Sequence, residues 1–572
     1  MPHTHDMVVR NGTVVDGTGS SPFASDVAIN DGKITAVGQV SGSGSEEIDA
    51  KGCIVTPGFV DIHTHYDGQA IWDQHLAPSA WHGVTSVVMG NCGVGFAPCR
   101  ADDRTKLVEL MEGVEDIPGA VMHEGLDWRW ESFAEYLIAL ESHRRDIDVC
   151  ALLPHAAVRV FVMGDRAIRH EAATADDIAQ MRTITQQAIE AGAFGFSTSR
   201  TVSHKSLKGD YTPTLRAHED ELTGIAMGMA DAGAGFLEIV SDWNAPDPET
   251  EFAMLRRIIE RSGRTAVFSL TQRHDRTTFW QDLLRLAKEA VDDGLSIRPV
   301  VAPRPIGILL GLQGSQNPFS GTPTYKKIAG LAVAERAAAM RDPEVRRQIL
   351  SEDPIAGSTF PLINRISYDQ MYRFGTPPCY EPAAEDSITA MAAREGRSAA
   401  EVAYDIVIED EGRNFIYAPL VNYASHDMST PEAMLADRNA IMGLGDGGAH
   451  VGFIIDAGFP TWLMSYWGRE RQRFELPEII RRLTSDTAAA AGLGDRGKIA
   501  VGLKADLNII DWDKVAFGRP YVAADLPAGG RRLLQGADGY RATIVSGQTI
   551  YRDGQATGAL PGQLVRGQRA AA

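Results

Sequence analysis

The chain has 572 residues, of which 44% are hydrophobic and 23% are charged, and its formal net charge at pH 7 is −20. This composition excludes an intrinsically disordered chain and suits a globular protein large enough for a barrel with an added domain. The negative charge argues against nucleic-acid partners and anionic membranes, and no apolar run is long enough for a membrane span. The N-terminus lacks a secretory signal pattern and the five cysteines are scattered, so we expect a cytoplasmic protein.

The two ends of the chain share one pattern. Residues 1–57 are predicted to form short strands broken by turns such as Asn11-Gly12 and Asp31-Gly32, which are strong hairpin signals. Residues 491–572 repeat this pattern of short strands and turns. Two β-rich ends around a different middle predict one small β-sandwich domain that is built from both chain termini.

The first strand of the middle region ends in two histidines. The stretch Val55–Val60 runs into His63 and His65 after a Pro-Gly turn. Alternate side chains of a strand point the same way, so both imidazoles are expected on one side. Two convergent neutral imidazoles are part of what a zinc-type cation needs. The alternative is a chance His-x-His pair on a polar strand.

Residues 58–490 alternate between short apolar strands and helical patterns. Strands are predicted at 85–89, 149–153, 194–197, 235–240 and 266–270, and helices at 174–191 and 251–262. This alternation places the chain in the α/β class, and its length favours a (β/α)8 TIM-like barrel. A stretch at about 308–364, with proline, glycine and an alanine-rich helix, is predicted to be an insertion between late strands.

Active sites of such barrels lie at the carboxyl ends of the strands. The polar residues found at or just after the predicted strands, besides the two histidines, are Cys92, His155, Arg200, Glu238, Gln272, Arg273, Asp446 and His450. Asp446, in a glycine-rich turn, suits a metal ligand or a proton shuttle, or else an aspartate that caps its own turn. Cys92 is either a thiolate metal ligand or a small buried residue.

Several longer motifs resemble one known family. They are Thr56–His65, Gly90–Pro98, Glu112–Pro118, Trp130–Leu137 and Asp495–Leu507. Together they are similar to segments of the metal-dependent amidohydrolase superfamily and, within it, of the D-aminoacylase (N-acyl-D-amino-acid deacylase) family. The resemblance covers nearly the whole chain.

This resemblance implies a TIM-like barrel with a β-sandwich, a site for one or two zinc ions, and hydrolysis of an N-acyl amide. His63 and His65 match the family's His-x-His metal ligands, and Cys92 matches the thiolate that binds or bridges the metal. Asp446 matches the catalytic aspartate, which acts as a general base toward water and then as an acid toward the leaving amine.

Two departures from the family concern the other metal ligands. Glu238 stands where the family has a strand histidine, so it is expected either as a metal ligand, which a carboxylate can be, or as a carboxylate of the surrounding pocket. The next family histidine has no counterpart near residues 268–273. The number of metal ions is therefore left open at this point.

Five residues are candidates for binding the substrate. A substrate carboxylate would be held by a guanidinium, and Arg200 and Arg273 are candidates for that clamp, with structural ion pairs as the alternative. Gln272, His155 and His450 are candidate pocket residues, and a buried, hydrogen-bonded histidine is the alternative for the last two.

Three functions follow from these observations. The first is a zinc-dependent hydrolase of N-acyl amino acids, N-acyl-D-amino acids among them, or of related small N-acyl amides, with a small-molecule substrate as the expected partner. The second is a cyclic amide or imide hydrolase, which is disfavoured because no strand-end lysine is found to bridge two metals. The third is a metal-free, non-catalytic barrel that acts as a binding protein. Formation of a homo-oligomer is left open.

Overall fold

The computed structural model describes residues 4–243, 248–355 and 366–567, and eight parallel strands form its central sheet. They are β1 (Phe59–Asp61), β2 (Val84–Met89), β3 (Asp148–Pro154), β4 (Gly195–Arg200), β5 (Phe236–Ser241), β6 (Thr265–Ser269), β7 (Ile297–Val301) and β8 (Ile441–Met442). Each strand pairs with the next strand along the chain. Such sequential parallel pairing is the arrangement of a TIM-like barrel.

The barrel is closed by backbone hydrogen bonds between the segments that follow β1 and β8. The His65 N–H donates to the Gly447 carbonyl oxygen at 2.8 Å, and the Asp446 N–H donates to the His63 carbonyl oxygen at 3.2 Å. We call this junction the seam. Because the seam lies at the carboxyl end of both strands, it brings the predicted histidines next to the predicted aspartate. The TIM-like barrel expected from the sequence is confirmed.

Helices occupy the connections between the barrel strands and the segment that follows β8. Their bounds are Arg104–Glu115, Gly119–Gly125, Phe133–Ser142, His155–Met163, Asp165–Ile168, Ala175–Ala191, Glu219–Ala232, Pro248–Ser262, Phe279–Asp292, Phe459–Trp462, Leu476–Leu483 and Ser485–Ala490. The helix after Thr174 begins where the sequence predicts, because the Thr174 Oγ1 accepts a hydrogen bond from the Asp177 N–H at 3.2 Å. Within the described ranges, none of the helices is both long and apolar enough to cross a membrane.

The long connection between β7 and β8 has a structure of its own. It contains a three-stranded antiparallel sheet of Ile306–Gly311, Phe415–Val421 and Tyr372–Arg373. Its helices are Pro323–Ile328, Val333–Met340, Pro343–Ser351, Ile388–Glu395, Ala399–Ile408 and Ser429–Ala436. The predicted insertion, 308–364, covers the first part of this connection, and its last residues, 356–364, lie outside the described residues.

Strands from both chain ends form a second, nine-stranded sheet. They are His5–Val14, Phe23–Asn30, Lys33–Gly38, Gly44–Asp49, Ile54–Pro57, Leu507–Ile510, Tyr540–Val545, Gln548–Arg552 and Gln555–Ala556. Ile54–Pro57 pairs antiparallel with Leu507–Ile510, so the two ends meet inside one sheet. The two facing layers of a sandwich and the domain limits 1–57, 58–490 and 491–572 stay predictions, and residues 1–3 and 568–572 lie outside the described ranges.

A buried ion-pair network joins the barrel to this second sheet. The Arg496 Nη1 lies 2.5 Å from the Asp148 Oδ2, at the start of β3, and 3.8 Å from the Asp506 Oδ2, just before the strand Leu507–Ile510. Lys504 pairs with both carboxylates. The amino end of the barrel is therefore tied to the terminal sheet by opposite charges out of water.

Candidate active site

Four side chains converge at the carboxyl end of the barrel, and we call them the donor cluster. The His63 Nε2 lies 3.4 Å from the Cys92 Sγ and 3.4 Å from the Asp446 Oδ1. The His65 Nε2 lies 3.6 Å from the same Asp446 oxygen. His63, His65 and Cys92 each place one donor atom within 4.8 Å of the other two. The structure therefore brings together four of the five residues that the sequence singled out as candidate metal ligands.

The backbone places these side chains by unusual local conformations. Cys92 lies in the short turn Asn91–Gly93 directly after β2 and has a φ of +56°. Asp446 has a φ of +46° in the glycine-rich turn after β8. Non-glycine residues in this left-handed region are uncommon, and they cluster at functional sites where the surrounding fold holds them.

Burial sets the charge of the ligand-type groups. Desolvation lowers the pKa of His63 to about 4 and that of His65 to about 3, so both imidazoles are neutral near pH 7. Burial, followed by the charge of Glu238, raises the pKa of the Cys92 thiol well above its ordinary value. A bound cation reverses that effect, because a thiol that coordinates a metal loses its proton. The cluster thus presents neutral imidazoles and a thiol beside a carboxylate.

The composition and surroundings of the cluster fit a zinc-type ion. Imidazole, thiolate and carboxylate are the ligand types that zinc takes in proteins, and catalytic zinc sites combine three of them with an open position. Nearby, His65 Nδ1, Glu238 Oε1 and Glu115 Oε2 are buried without a hydrogen-bond partner among the described residues. Buried polar atoms are rarely left unpaired in a complete site.

Glu238 lies beside the cluster rather than within it. Its Oε2 accepts a hydrogen bond from the Cys92 N–H at 2.9 Å, and its Oε1 is 3.9 Å from the His63 Nδ1. The carboxylate thus faces the opposite side of the His63 ring from the Nε2 atom. Burial raises the pKa of Glu238 to about 8. Of the two roles expected from the sequence, this position favours that of a carboxylate around the site over that of a direct ligand.

Glu115 is a site residue that the sequence analysis missed. It ends the helix Arg104–Glu115, where its Oε1 lies 3.3 Å from the His65 Nδ1 and its Oε2 lies 3.7 Å from the His450 Nε2. The side chain is 1% exposed, and burial raises its pKa well above the ordinary value. Glu115 belongs to the family-like motif Glu112–Pro118. It lies at the end of a helix, however, and position at the end of a strand is the pattern that predicts the other site residues.

Two further histidines lie around the cluster. His450, predicted as a pocket residue, is held by its N–H, which donates to the Glu115 carbonyl oxygen at 2.5 Å. His204, which the sequence analysis did not select, has its Nδ1 2.9 Å from the Ser199 Oγ. Burial lowers the pKa of both histidines to about 4, and His65 adds to the effect on each. Both therefore add neutral imidazoles to the site.

The two arginines predicted to clamp a substrate carboxylate are engaged in other ion pairs. The Arg200 Nε lies 2.6 Å from the Glu251 Oε1, on the helix after β5. Arg273 pairs with Asp242 and with Asp275, at 2.9 Å each. Both predictions used position at a strand end, and in both cases a neighbouring carboxylate takes the guanidinium. Both guanidiniums are therefore paired within the protein, and the clamp for a substrate carboxylate stays a prediction.

His155 and Gln272 are also occupied by the fold. His155 is fully buried, with its Nδ1 2.8 Å from the Thr198 Oγ1 and its Nε2 2.9 Å from the Glu221 Oε1. The Gln272 side chain accepts a hydrogen bond from the Ala424 N–H at 3.1 Å and donates one to the Thr277 carbonyl oxygen at 3.1 Å. Both ring nitrogens of the histidine and both ends of the amide form hydrogen bonds within the protein, which agrees with the alternative of a buried, hydrogen-bonded histidine, and the pocket role of both residues stays a prediction.

Comparison with known proteins agrees with this geometry. The model of the amidohydrolase family matches residues 46–551. An uncharacterised protein of Mycobacterium tuberculosis is 27% identical over 96% of this chain and 92% of its own length. The D-aminoacylase of Alcaligenes xylosoxydans xylosoxydans is 25% identical over 98% of this chain and 97% of its own length.

A solved structure shares the fold. The N-acyl-D-glutamate deacylase of Bordetella bronchiseptica, solved with zinc and a phosphonate inhibitor that mimics the tetrahedral intermediate, has a TM-score of 0.65. It is 22% identical to this chain, and the match covers 98% of this chain and 99% of the deacylase. The predicted resemblance to D-aminoacylases is confirmed, and the chain belongs to the amidohydrolase family, as a hydrolase of amide bonds other than peptide bonds.

Proposed function

We propose that this protein is a zinc-dependent hydrolase that cleaves the amide bond of N-acyl amino acids or related small N-acyl amides. The convergence of His63, His65, Cys92 and Asp446 at the carboxyl end of the barrel carries the proposal. The names of two similar proteins, a D-aminoacylase and a zinc-containing N-acyl-D-glutamate deacylase, support the same substrate class.

We propose further that the site holds one zinc ion. His63, His65 and Cys92 each place one donor atom within 4.8 Å of the other two, and the Asp446 Oδ1 faces the Nε2 atoms of both imidazoles. Glu238, which replaces a family ligand, faces the Nδ1 side of His63 instead. Three protein ligands with one open position are the usual set of a catalytic zinc site. The side chains of the donor cluster direct their donor atoms to one point, so a second ion would need further ligands.

When bound, zinc supplies Lewis acidity, which polarises an amide carbonyl and makes a nearby water more acidic. Asp446 provides the proton transfers. Its carboxylate takes a proton as the water oxygen attacks the carbonyl carbon, and returns it to the amine nitrogen as the carbon–nitrogen bond breaks. The products are a carboxylic acid and a free amine. With a side chain 14% exposed, against 4% for His63 and 1% for His65, Asp446 is also the more accessible to substrate.

The direct test combines metal analysis with a substrate panel. We expect one zinc per chain and release of free amine from at least one compound in a panel of N-acyl-D- and N-acyl-L-amino acids. Asp446→Asn, which keeps the shape but removes the base, should lower kcat by about 10²–10⁴-fold. Asp176→Asn, an exposed aspartate in the first turn of a helix, is the matched control and should leave kcat unchanged.

Each other outcome identifies an alternative. Ring opening of cyclic amides or imides without release of amine from N-acyl compounds would replace the proposal with the cyclic amide hydrolase. A chain that takes up no zinc would favour the metal-free binding protein. Full activity in Asp446→Asn would show that the proton transfers described here are wrong.

A further inference from the structure

Glu115 bridges two histidines that approach the site from different parts of the chain. Its Oε1 faces His65, which follows β1, and its Oε2 faces His450, which lies in the loop after β8. The side chain is 1% exposed, so water does not weaken either contact. A buried carboxylate between two imidazoles can influence both rings at once.

The contact with His65 controls which ring nitrogen is free. A neutral imidazole carries its one proton on either Nδ1 or Nε2, and a carboxylate that faces Nδ1 favours the proton there. The Glu115 Oε1 lies 3.3 Å from the His65 Nδ1, and the His65 Nε2 lies toward Asp446, at 3.6 Å from its Oδ1. Although this contact is not a hydrogen bond, the charge of Glu115 favours the form of His65 whose lone pair is directed into the donor cluster.

The contact with His450 is reinforced by the backbone. The His450 N–H donates to the Glu115 carbonyl oxygen at 2.5 Å, and the Glu115 Oε2 lies 3.7 Å from the His450 Nε2. The other ring nitrogen, His450 Nδ1, is buried without a hydrogen-bond partner among the described residues. One nitrogen of this imidazole is thus directed to Glu115, while the other is left without a partner among the described residues.

The position of Glu115 is itself fixed by the next residue. Asp116 ends the helix with a φ of +52°, and its Oδ2 accepts hydrogen bonds from the Gly452 N–H and the Ser315 Oγ, both at 3.2 Å. The helix end is thereby joined both to the loop that carries His450 and to the long connection between β7 and β8. Glu115 cannot shift without moving these partners.

We propose that Glu115 is a positioning residue that couples the metal-binding His65 to the substrate-facing His450. The proposal rests on the proposed function, because it assigns Glu115 an effect on metal affinity through one histidine and on catalysis through the other. A residue that only stabilises the fold would not separate these two effects.

The first experiment measures zinc affinity by competition with a chromophoric chelator on the full chain. Glu115→Gln, which keeps the shape but loses the negative charge, should raise the zinc Kd by about 10–100-fold. Glu112→Gln, three residues earlier on the same helix, is the matched control and should stay within two-fold of wild type. A Glu115→Gln protein whose zinc Kd stays within two-fold of wild type would overturn the inference.

The second experiment measures kcat/KM at saturating zinc, where differences in metal affinity no longer contribute. Glu115→Gln and His450→Gln should each lower kcat/KM, and the double variant should be no worse than His450→Gln alone. Independent, multiplying losses would overturn the coupling to His450. His450→Gln alone should leave the zinc Kd within three-fold of wild type.

Folding and the parent proposal are separated by two comparisons. If Glu115→Gln does not fold, Glu115→Asp, which keeps the charge but shortens the reach, takes its place with the same thresholds. Wild-type protein that binds no zinc would overturn the proposed function itself. Wild-type protein that binds zinc and is unaffected by either change at Glu115 would overturn this inference alone.

Discussion

Cys92 is the residue that most clearly separates a metal site from an ordinary buried thiol. Its backbone is held in the left-handed region, its N–H is bonded to Glu238, and its Sγ lies 3.4 Å from the His63 Nε2. We predict that Cys92→Ala lowers the zinc content of the purified protein to below about one tenth of wild type, because one of three proposed ligands is removed. Elemental analysis of chelator-free preparations measures this.

Cys150 provides the matched control. It is fully buried in β3 and packs in the hydrophobic core. Cys150→Ala should therefore keep the wild-type zinc content while losing a little stability. Equal zinc content in both variants would show that the Cys92 thiol is not a ligand.

The candidate site residues differ in how well their roles can be predicted from the sequence. His63, His65, Cys92 and Asp446 follow strands whose ends point into the barrel, and a local pattern is enough to select them. Arg200 also ends a strand, but its role is decided by Glu251, which is distant in sequence and takes its guanidinium. Such pairing depends on which helix packs behind the strand, so it cannot be predicted from the strand alone.

At the scale of single elements, the helix Arg104–Glu115 contributes Glu115 to the site and also packs against a loop. A β-carbon on Gly113 would lie 2.3 Å from the Lys205 carbonyl oxygen and 2.4 Å from the Leu207 backbone nitrogen. The Leu207 N–H donates to the Glu109 carbonyl oxygen at 2.9 Å. The loop 201–212, which holds His204, therefore packs directly on this helix.

We predict that Gly113→Ala displaces this loop, although alanine is the better helix former by about 1 kcal/mol. The new β-carbon would clash with backbone atoms of the loop, so the loop must move. Cleavage by trypsin after Lys205 and Lys208 should therefore become at least several-fold faster. Mass spectrometry of timed digests measures the rate. Glu112→Ala, on the same helix, is the control, and equal cleavage rates in the two variants would contradict the prediction.

Element boundaries show a similar limit to sequence-based prediction. The helix after Thr174 is predicted from a local cap, and the structure forms it as Ala175–Ala191. The functional residue at the end of Arg104–Glu115 is not predictable in this way, because its partners His65 and His450 become neighbours only when the barrel closes.

At the scale of the whole molecule, the network around Arg496 ties the barrel to the terminal sheet. We predict that Arg496→Met lowers the stability by about 3–5 kcal/mol, because the buried carboxylate of Asp148 loses its nearest cation and that of Asp506 keeps only Lys504. The Tm from differential scanning calorimetry should fall by several degrees.

The control for this change is an arginine at the surface of the same sheet. Arg541 pairs with Asp553 at 2.9 Å, and both side chains are 56% exposed. Arg541→Met should change the Tm little, since exposed ion pairs contribute little to stability. A similar loss of Tm in both variants would show that burial of the Arg496 network is not what stabilises the junction.

The overall architecture was largely predictable, because strand and helix periods are local properties of the sequence. The alternation in residues 58–490 indicates the barrel, and the similar ends indicate that they share one β-structure. The pairing of Ile54–Pro57 with Leu507–Ile510 and the extent of the connection between β7 and β8 depend on long-range contacts, which no local pattern encodes.

The seam has a consequence for the biosynthesis of this protein. The bonds that close the barrel link His63 and His65, which follow its first strand, to Asp446 and Gly447, which follow its last strand. During translation the histidines and Cys92 leave the ribosome early, whereas Asp446 follows only after all eight barrel strands have been made. Under the proposed mechanism, a nascent chain that still lacks Asp446 cannot hydrolyse substrate, so enzymatic activity requires that the barrel has closed.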